Sequence, residues 1–359
     1  MIFYIFYIFL YMPYPMDYNR IKERKGDPYM GKRPTLTQIA ERCSVSIATV
    51  SRVLSGKDPV SPATQQKVLR AIRELEHGTV VKTPAGPGRK LLVLLPDFEN
   101  PFYAPIIQGI QQTARAAGYE VFLVPIADSN AHSGNVSALV RREGYAGVIW
   151  LSAAPEVELL SAVENGCPSV MIGEYPEGHN GSYVSIDDRM AGYRAVNYLI
   201  STGCRRIGMI NSAFRYKYAR HRKEGYQRAL TEARLPVDPN WYVSVPTIDY
   251  TLAYSAAMQV LCTEPRPDAL FASSDVLAAA AINAAHSLGL RVPEDLCVIG
   301  FDNVEASRMT LPAITTVSQP THQLGQQACS ILLDRIRDPE LPHRQILLDT
   351  ELVIRGSTK

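Results

Sequence analysis

From residue 91 onward, short runs of purely apolar residues alternate with stretches of helical period. Leu91-Leu92-Val93-Leu94-Leu95 is apolar at every position. A strand with one wet face would alternate, so this run reads as a strand covered on both faces. The next stretch, about 102–117, repeats its apolar residues at helical spacing. Further strands are expected at 119–126, 147–151, 169–173, 206–211, 269–272 and 297–301. Helical segments separate most of them. Repeated strand–helix units imply an α/β body of open, doubly wound sheets. There are too many strands for one small sheet, so two lobes are expected over 91–359.

The segment before this body differs in kind. Residues 78–90 are rich in glycine, proline and basic residues, among them Gly78, Pro84, Gly86, Pro87, Gly88, Arg89 and Lys90, which is the composition of a linker. Ahead of it, residues 35–76 read as three short helices. Thr35 and Gln38 have capping-box spacing. Ile39, Ala40 and Cys43 share one face of the first helix. Ser44-Val45-Ser46 turns the chain, and Ser46 is placed to cap the second helix. There Val50, Val53 and Leu54 face inward, and the run 56–59 ends the helix. Ser61 followed by Pro62 starts a third helix with an apolar stripe of Val68, Ile72 and Leu75.

The first two helices meet the demands of a helix-turn-helix. Ala40 is small where the helices cross, Val45 is apolar in the turn, and Val50 points inward. The outward face of the second helix then carries Ser46, Ile47, Ala48, Thr49, Ser51 and Arg52. Hydroxyls and N–H groups at a helix start, including Thr35 at the first helix, suit phosphate oxygens. Arg52 can present a fork to guanine in the major groove, and Ile47 and Ala48 can meet a thymine methyl.

Charge agrees with that reading without deciding it. Residues 20–90 carry fifteen Lys and Arg against six Asp and Glu, which makes the segment +9 and leaves −7 elsewhere in a chain of net +2. A basic head on an acidic body suits a polyanionic partner, though a solvated basic surface would look the same. The six cysteines form no C-x-x-C pair and the seven histidines no metal spacing, so no metal, cofactor or disulfide framework is expected. Residues 2–12 are apolar and aromatic but too short to span a bilayer, and no basic segment precedes them as in a secretory signal. Residues 1–29 are read as an extension upstream of a start at Met30, with a peripheral membrane anchor as the lesser alternative. A cytoplasmic protein without a membrane partner is expected.

The arrangement from Leu36 through Leu54, continued by Val60-Ser61, Lys67-Val68 and Leu75, resembles the head of the LacI/GalR repressor family. Body stretches extend the resemblance: Asn100-Pro101-Phe102-Tyr103, Ser274-Asp275, 292–303, Thr315 to Pro320, and 352–357. Within the family the chain most resembles the cytidine-repressor branch. The resemblance implies a type I periplasmic-binding-protein-like body, with a helix-turn-helix head over 30–77 and a linker over 78–90. It implies a homodimer on a double-stranded DNA operator and a small-molecule effector, a nucleoside, purine or sugar. Phe102 and Tyr103 would stack on a ligand ring, Arg222 would donate a fork, and Asp302 would accept from a hydroxyl. Ser274, Glu174 and Asp249 are further ligand candidates. Arg222 and Asp302 are expected to grip the effector from opposite sides. The structural alternative is Asp302 as a helix cap and Arg222 in an ion pair. The linker departs from the family: His77 stands at an aromatic position, Gly86 where a leucine is usual, and Ser55 where asparagine is usual.

Other classes fit less well. A transport binding protein shares the body fold but has no DNA-reading head. An enzyme is not expected either, because the sequence contains no G-x-S-x-G, no GxxxxGK[ST] and no metal-ligand cluster.

Overall fold

The computed structural model describes residues 35–55, 61, 64–65, 67–68, 71, 89–126, 133–151, 157–178 and 180–359. The chain divides into two units, Met1–Pro84 and Ala85–Lys359.

In the first unit, α1 (Leu36–Cys43) and α2 (Ile47–Ser55) form the expected pair. Thr35 Oγ1 accepts from Gln38 N at 3.3 Å and Gln38 Oε1 accepts from Thr35 N at 2.8 Å, closing the capping box. Ser44 takes a left-handed conformation that ends α1. Ser46 Oγ then accepts from Thr49 N at 3.1 Å and caps α2. Ile39, Ala40, Cys43 and Val50 are buried together with Val68 and Ala71, with Val45 and Val53 packed against them. Ser61 Oγ accepts from Thr64 N at 3.2 Å, as a helix start requires. The readings made for Ile72, Leu75, His77 and Gly86, for the 56–59 breaker, for Met30 and for 1–29 lie outside the described residues.

The second unit holds two six-stranded sheets. The first has the order β11-β5-β4-β3-β1-β2. Its strands are β1 (Lys90–Leu95), β2 (Glu120–Pro125), β3 (Gly147–Trp150), β4 (Ser169–Ile172), β5 (Tyr183–Ile186) and β11 (Gln345–Leu348), all parallel. The second has the order β12-β10-β9-β8-β6-β7. It comprises β6 (Ile207–Ser212), β7 (Tyr242–Val245), β8 (Ala269–Ala272), β9 (Cys297–Asp302), β10 (Thr315–Ser318) and β12 (Glu351–Val353), and only the β10–β12 pair is antiparallel.

Helices cover both faces of each sheet, which is why Leu91–Leu95 of β1 and the whole of β8 are apolar at every position. In β1, Leu91, Val93 and Leu95 enter one core, with α3 (Tyr103–Ala116) and α11 (Thr321–Arg337). Leu92 and Leu94 enter the opposite core, with α4 (Ser133–Glu143) and α5 (Val157–Glu164). In β9, Cys297, Ile299 and Phe301 pack toward α6 (Asp188–Ser201) and α7 (Lys217–Glu232). Val298 packs toward α8 (Tyr250–Leu261) and α9 (Asp275–Ser287). A four-residue helix, α10 (Ala306–Met309), follows β9.

The chain passes between lobes three times: from β5 into α6, from β10 into α11, and from β11 to β12. The second passage runs through the 315–320 segment, one of the stretches that carry the family resemblance. The expected strands are present, with ends shifted by about one residue, and Lys90, read as linker, is the first residue of β1. Strands β5, β7, β10, β11 and β12 are not among the strands expected from the sequence. They are three or four residues long, and β7, β11 and β12 carry exposed positions that blur any apolar run. No helix among the described residues is long and apolar enough to cross a membrane.

Candidate ligand cleft and DNA-facing helix

Loops at the carboxyl ends of parallel strands are where open α/β sheets hold ligands. In the second unit these loops enclose a cavity of about 560 Å³, within the range of small-molecule sites. The first lobe contributes Asp97 and Glu99 to Tyr103 after β1, Leu151 after β3, and Gly173 and Glu174 after β4. The second contributes Tyr216, Tyr218 and Arg222 from the start of α7, residues 247–250 before and into α8, and Asp302 at the end of β9. Asp188 and Gln319 line it where the chain passes between lobes. Six of the seven sequence candidates thus border one cavity. The seventh, Ser274, is buried and does not line it; its Oγ accepts from Leu277 N at 3.3 Å and caps α9.

Arg222 is held from several directions. Its Nε donates to Asp188 Oδ1 at 2.9 Å and its Nη1 to the Ser273 carbonyl at 2.6 Å. The guanidinium carbon lies 3.5 Å from the Phe301 ring centroid and 4.7 Å from that of Tyr218. Gly225, one turn later, has no room for a Cβ, because the Arg189 carbonyl lies there. That contact seats α7 against α6 and fixes Arg222 over the sheet end. Asp188 also accepts from Lys217 Nζ at 3.1 Å, so one buried carboxylate serves two buried cations. Burial alone would raise the Asp188 carboxyl, but Arg222 and Lys217 outweigh it and hold it below the usual range.

The expected placement of Arg222 and Asp302 on opposite sides is not what the fold produces. Arg222 Nη1 and Asp302 Oδ1 are 3.7 Å apart in the second lobe. Both follow strands of the same sheet, and the sequence distance between them hides that the sheet brings β6 and β9 within one strand of each other. Asp302 accepts from Gln319 Nε2 at 2.7 Å. Burial pushes its carboxyl up to about 6 against the opposing pull of Arg222. Asp302 and Asn303 both have positive φ, 101° and 58°. Such backbone costs of order 1–3 kcal/mol per residue and clusters at ligand clamps. Asn303 is braced by Arg355 Nη2 at 2.6 Å and by Ser318 Oγ at 3.1 Å.

Glu174 crosses between lobes. From the loop after β4, its Oε2 accepts from Lys217 N at 2.7 Å and its Oε1 from Tyr218 N at 3.0 Å. A carboxylate of the first lobe therefore caps the first turn of a second-lobe helix. Burial raises the Glu174 carboxyl, against Lys217 and the two N–H groups. Asp249 Oδ1 accepts from Leu252 N at 2.8 Å and caps α8 while bordering the cavity. Phe102 and Tyr103 meet edge to face at 5.6 Å, and Tyr216 and Tyr218 stack at 5.4 Å. Sequence reasoning missed Asp188, Gln319, Tyr216 and Tyr218. Gln319 lay inside the 315–320 segment already singled out. Asp188 follows β5, a strand with no strong signal.

On the head, Ser46, Ile47, Ala48, Ser51 and Arg52 are exposed along α2, while Thr49 is half-buried and its hydroxyl lies 2.8 Å from Ser46 Oγ. Thr35 is exposed at the start of α1. Among the described residues no group of His, Cys, Asp or Glu is placed to hold a metal ion.

Comparison with known proteins places these parts. Residues 35–78 match the bacterial regulatory proteins of the lacI family, and residues 196–358 match a periplasmic binding protein-like domain. The HTH-type transcriptional repressor CytR of Escherichia coli (strain K12) is 36% identical over 333 residues, which is 90% of this chain and 96% of that one. A solved transcriptional regulator, CelR in complex with cellobiose, is 32% identical, with 90% of this chain and 100% of that one covered at a TM-score of 0.69. A LacI family regulator from Enterococcus faecium with bound ribose is 27% identical, covering 75% of this chain and 98% of that one at a TM-score of 0.67.

Proposed function

The chain belongs to the lacI family of bacterial regulatory proteins and is a DNA-binding transcriptional regulator modulated by a small-molecule ligand, and on that premise we propose that it is a homodimeric repressor whose effector is a nucleoside. One observation carries the effector reading. A donor fork, Arg222, and an acceptor, Asp302, share one cleft with aromatic faces from both lobes. Arg supplies donors only and an ionised Asp acceptors only. A nucleoside carries hydroxyls to donate, ring acceptors to receive, and a flat base to stack on Phe102, Tyr103 or Tyr218.

In this reading the head over 30–77 meets the operator through Thr35, Ser46, Ile47, Ala48, Thr49, Ser51 and Arg52. The body over 91–359 binds effector through Phe102, Tyr103, Glu174, Arg222, Asp249 and Asp302, with Ser274 acting beneath the site by fixing α9. A single small head makes few base contacts, and two-fold pairing doubles them on a pseudo-palindromic site.

The test is operator binding followed by fluorescence anisotropy at fixed salt, with nucleosides, purines and sugars added in turn. A nucleoside should change operator affinity, and at 100 times its Kd it should stabilise the folded chain by about 2.7 kcal/mol. A sugar that acts while nucleosides do not would replace the effector and leave the regulator.

A further inference from the structure

Most places where this cleft would ordinarily offer positive potential to an anion are covered by carboxylates, and at α3, which has no side-chain cap, Phe102 N and Tyr103 N donate to Asn100. Helix α7 opens at the cavity, but its first two N–H groups donate to Glu174. Helix α8 opens there too, and Asp249 takes its N–H. In the turn before α3, Asp97 Oδ1 accepts from Glu99 N at 2.8 Å and from Asn100 N at 2.9 Å. Free helix N-termini and forked guanidinium groups are what bind phosphate. Arg222 is the one cationic side chain among the described residues that lines the cavity. It is engaged by Asp188 and the Ser273 carbonyl, with Asp302 beside it. Glu99 adds an exposed carboxylate to the wall. The remaining body segments, 127–132, 152–156 and 179, contain no lysine or arginine in their sequence.

We infer that the cleft selects by charge: it accepts a neutral, hydroxyl-bearing effector and rejects the phosphate ester of that same molecule. The inference rests on the ligand-cleft reading above and deepens it. A phosphate group brings a charge of about −1.5 to −2 at neutral pH into a half-enclosed site where like charges repel strongly. Burial favours the neutral form of Asp302 and Glu174, yet Asp97, Glu99, Asp188 and Asp249 still border the site when those two are protonated. The polar groups that remain suit hydroxyls and ring nitrogens.

Calorimetric titration of the full chain tests this with matched probes: cytidine against cytidine monophosphate, adenosine against adenosine monophosphate, ribose against ribose phosphate. The comparison is made within whichever pair binds. The ester should bind roughly 100-fold more weakly than its parent. The deficit should narrow as salt rises, which simple crowding by a larger ligand would not produce. Glu99→Lys reverses a charge whose carboxylate makes no hydrogen bond among the described residues, and it should raise affinity for the ester. An ester that binds as tightly as its parent overturns the inference, as does a deficit indifferent to both salt and Glu99→Lys. If only the ester binds and also shifts operator affinity, charge selection fails while the ligand-responsive regulator stands.

Discussion

Arg222 Nη1 stands 3.7 Å from Asp302 Oδ1 within one lobe, with Asp188 on the far side of the guanidinium at 2.9 Å. The cation is therefore shared between two carboxylates that both border the cavity, with Asp188 as the hydrogen-bonded anchor. A ligand can meet donor and acceptor on one wall, and the aromatic side chains after β1 supply the other. Part of the structural alternative holds as well: Arg222 is in an ion pair.

Removing Arg222 should act on both levels. Arg222→Ala leaves Asp302 without its nearby cation and Asp188 with Lys217 alone. Breaking a buried pair by deleting one partner costs about 3–5 kcal/mol, and the surviving Lys217 contact places this variant at the lower end. Ligand affinity should fall by a further 1–3 kcal/mol or so. Thermal melting without ligand reads the first effect and calorimetry the second. Wild-type effector affinity in a folded variant would remove Arg222 from the site.

Asp302 makes the body sensitive to pH. Its carboxyl is raised to about 6 in the folded chain, against an ordinary value near 3.8. The folded state thus binds more protons than the unfolded one between those values, so this contribution to stability is present at low pH and is lost as pH rises through about 6. A shift of this size corresponds to a contribution on the order of 2–3 kcal/mol. Asp275, raised to about 8 by burial and by Asp302, adds a second loss at higher pH. Asp302→Asn should abolish the lower step in a stability–pH profile and move the upper one to lower pH, since the Asp302 charge no longer raises Asp275. Effector affinity should run the other way, strengthening as Asp302 ionises. A profile unchanged by Asp302→Asn would show that its carboxyl titrates elsewhere.

How far these sites were legible varies with what fixed them. Leu91 to Leu95 announced a doubly covered strand because burial on both faces removes every polar residue. The capping residues Thr35, Ser46 and Ser61 announced helix starts because the orphan N–H groups lie within three residues of the cap. Glu174 could be placed near the cleft but not understood, since its partners lie more than forty residues away in another lobe. The relation of Arg222 to Asp302 depends on sheet order, which no local pattern records. Edge strands such as β11 alternate in exposure and are held largely by one neighbour, so their sequence reads as loop.

Glu174→Gln tests the inter-lobe cap. Glutamine keeps one acceptor oxygen but loses the charge, and hydrogen bonds to a charged group are worth about 1.5–3 kcal/mol. The variant should melt earlier by part of that amount. Because the cap joins a first-lobe loop to α7, ligand-free and ligand-bound chains should also come to differ more in hydrogen exchange at 217–222. Unchanged exchange there would reduce Glu174 to an ordinary helix cap.

Arg52 lies exposed on α2 two residues after the buried Val50. Arg52→Ala should weaken binding to the preferred operator by about 1–3 kcal/mol and relax preference at one base pair. A binding selection that returns the same operator preference would show that Arg52 contacts phosphate, or nothing at all.

The proposed dimer is tested at Leu311 and Met309. These two are 87% and 75% exposed, Leu311 on the connection between α10 and β10 and Met309 at the end of α10. Solitary exposed apolar residues are ordinary, but this connection is not loose. Arg355 Nη1 donates to Ser307 Oγ at 3.0 Å and to the Ile314 carbonyl at 2.7 Å, and Thr310 Oγ1 donates to the Pro312 carbonyl at 2.8 Å. A braced backbone that holds two large apolar side chains in water would lower the ordering cost of a proposed association there. In a two-fold dimer one such patch meets its own copy, so a charge placed there is repeated across the axis. Leu311→Glu should therefore shift the chain toward monomer in sedimentation velocity at micromolar concentration, and Met309→Glu should add to it. The fold should survive, since neither side chain enters a core. Operator affinity should fall with the loss of paired heads, while calorimetric affinity for effector persists in the separate body. A Leu311→Glu, Met309→Glu double variant that sediments as a dimer would place the interface on another face of the lobes.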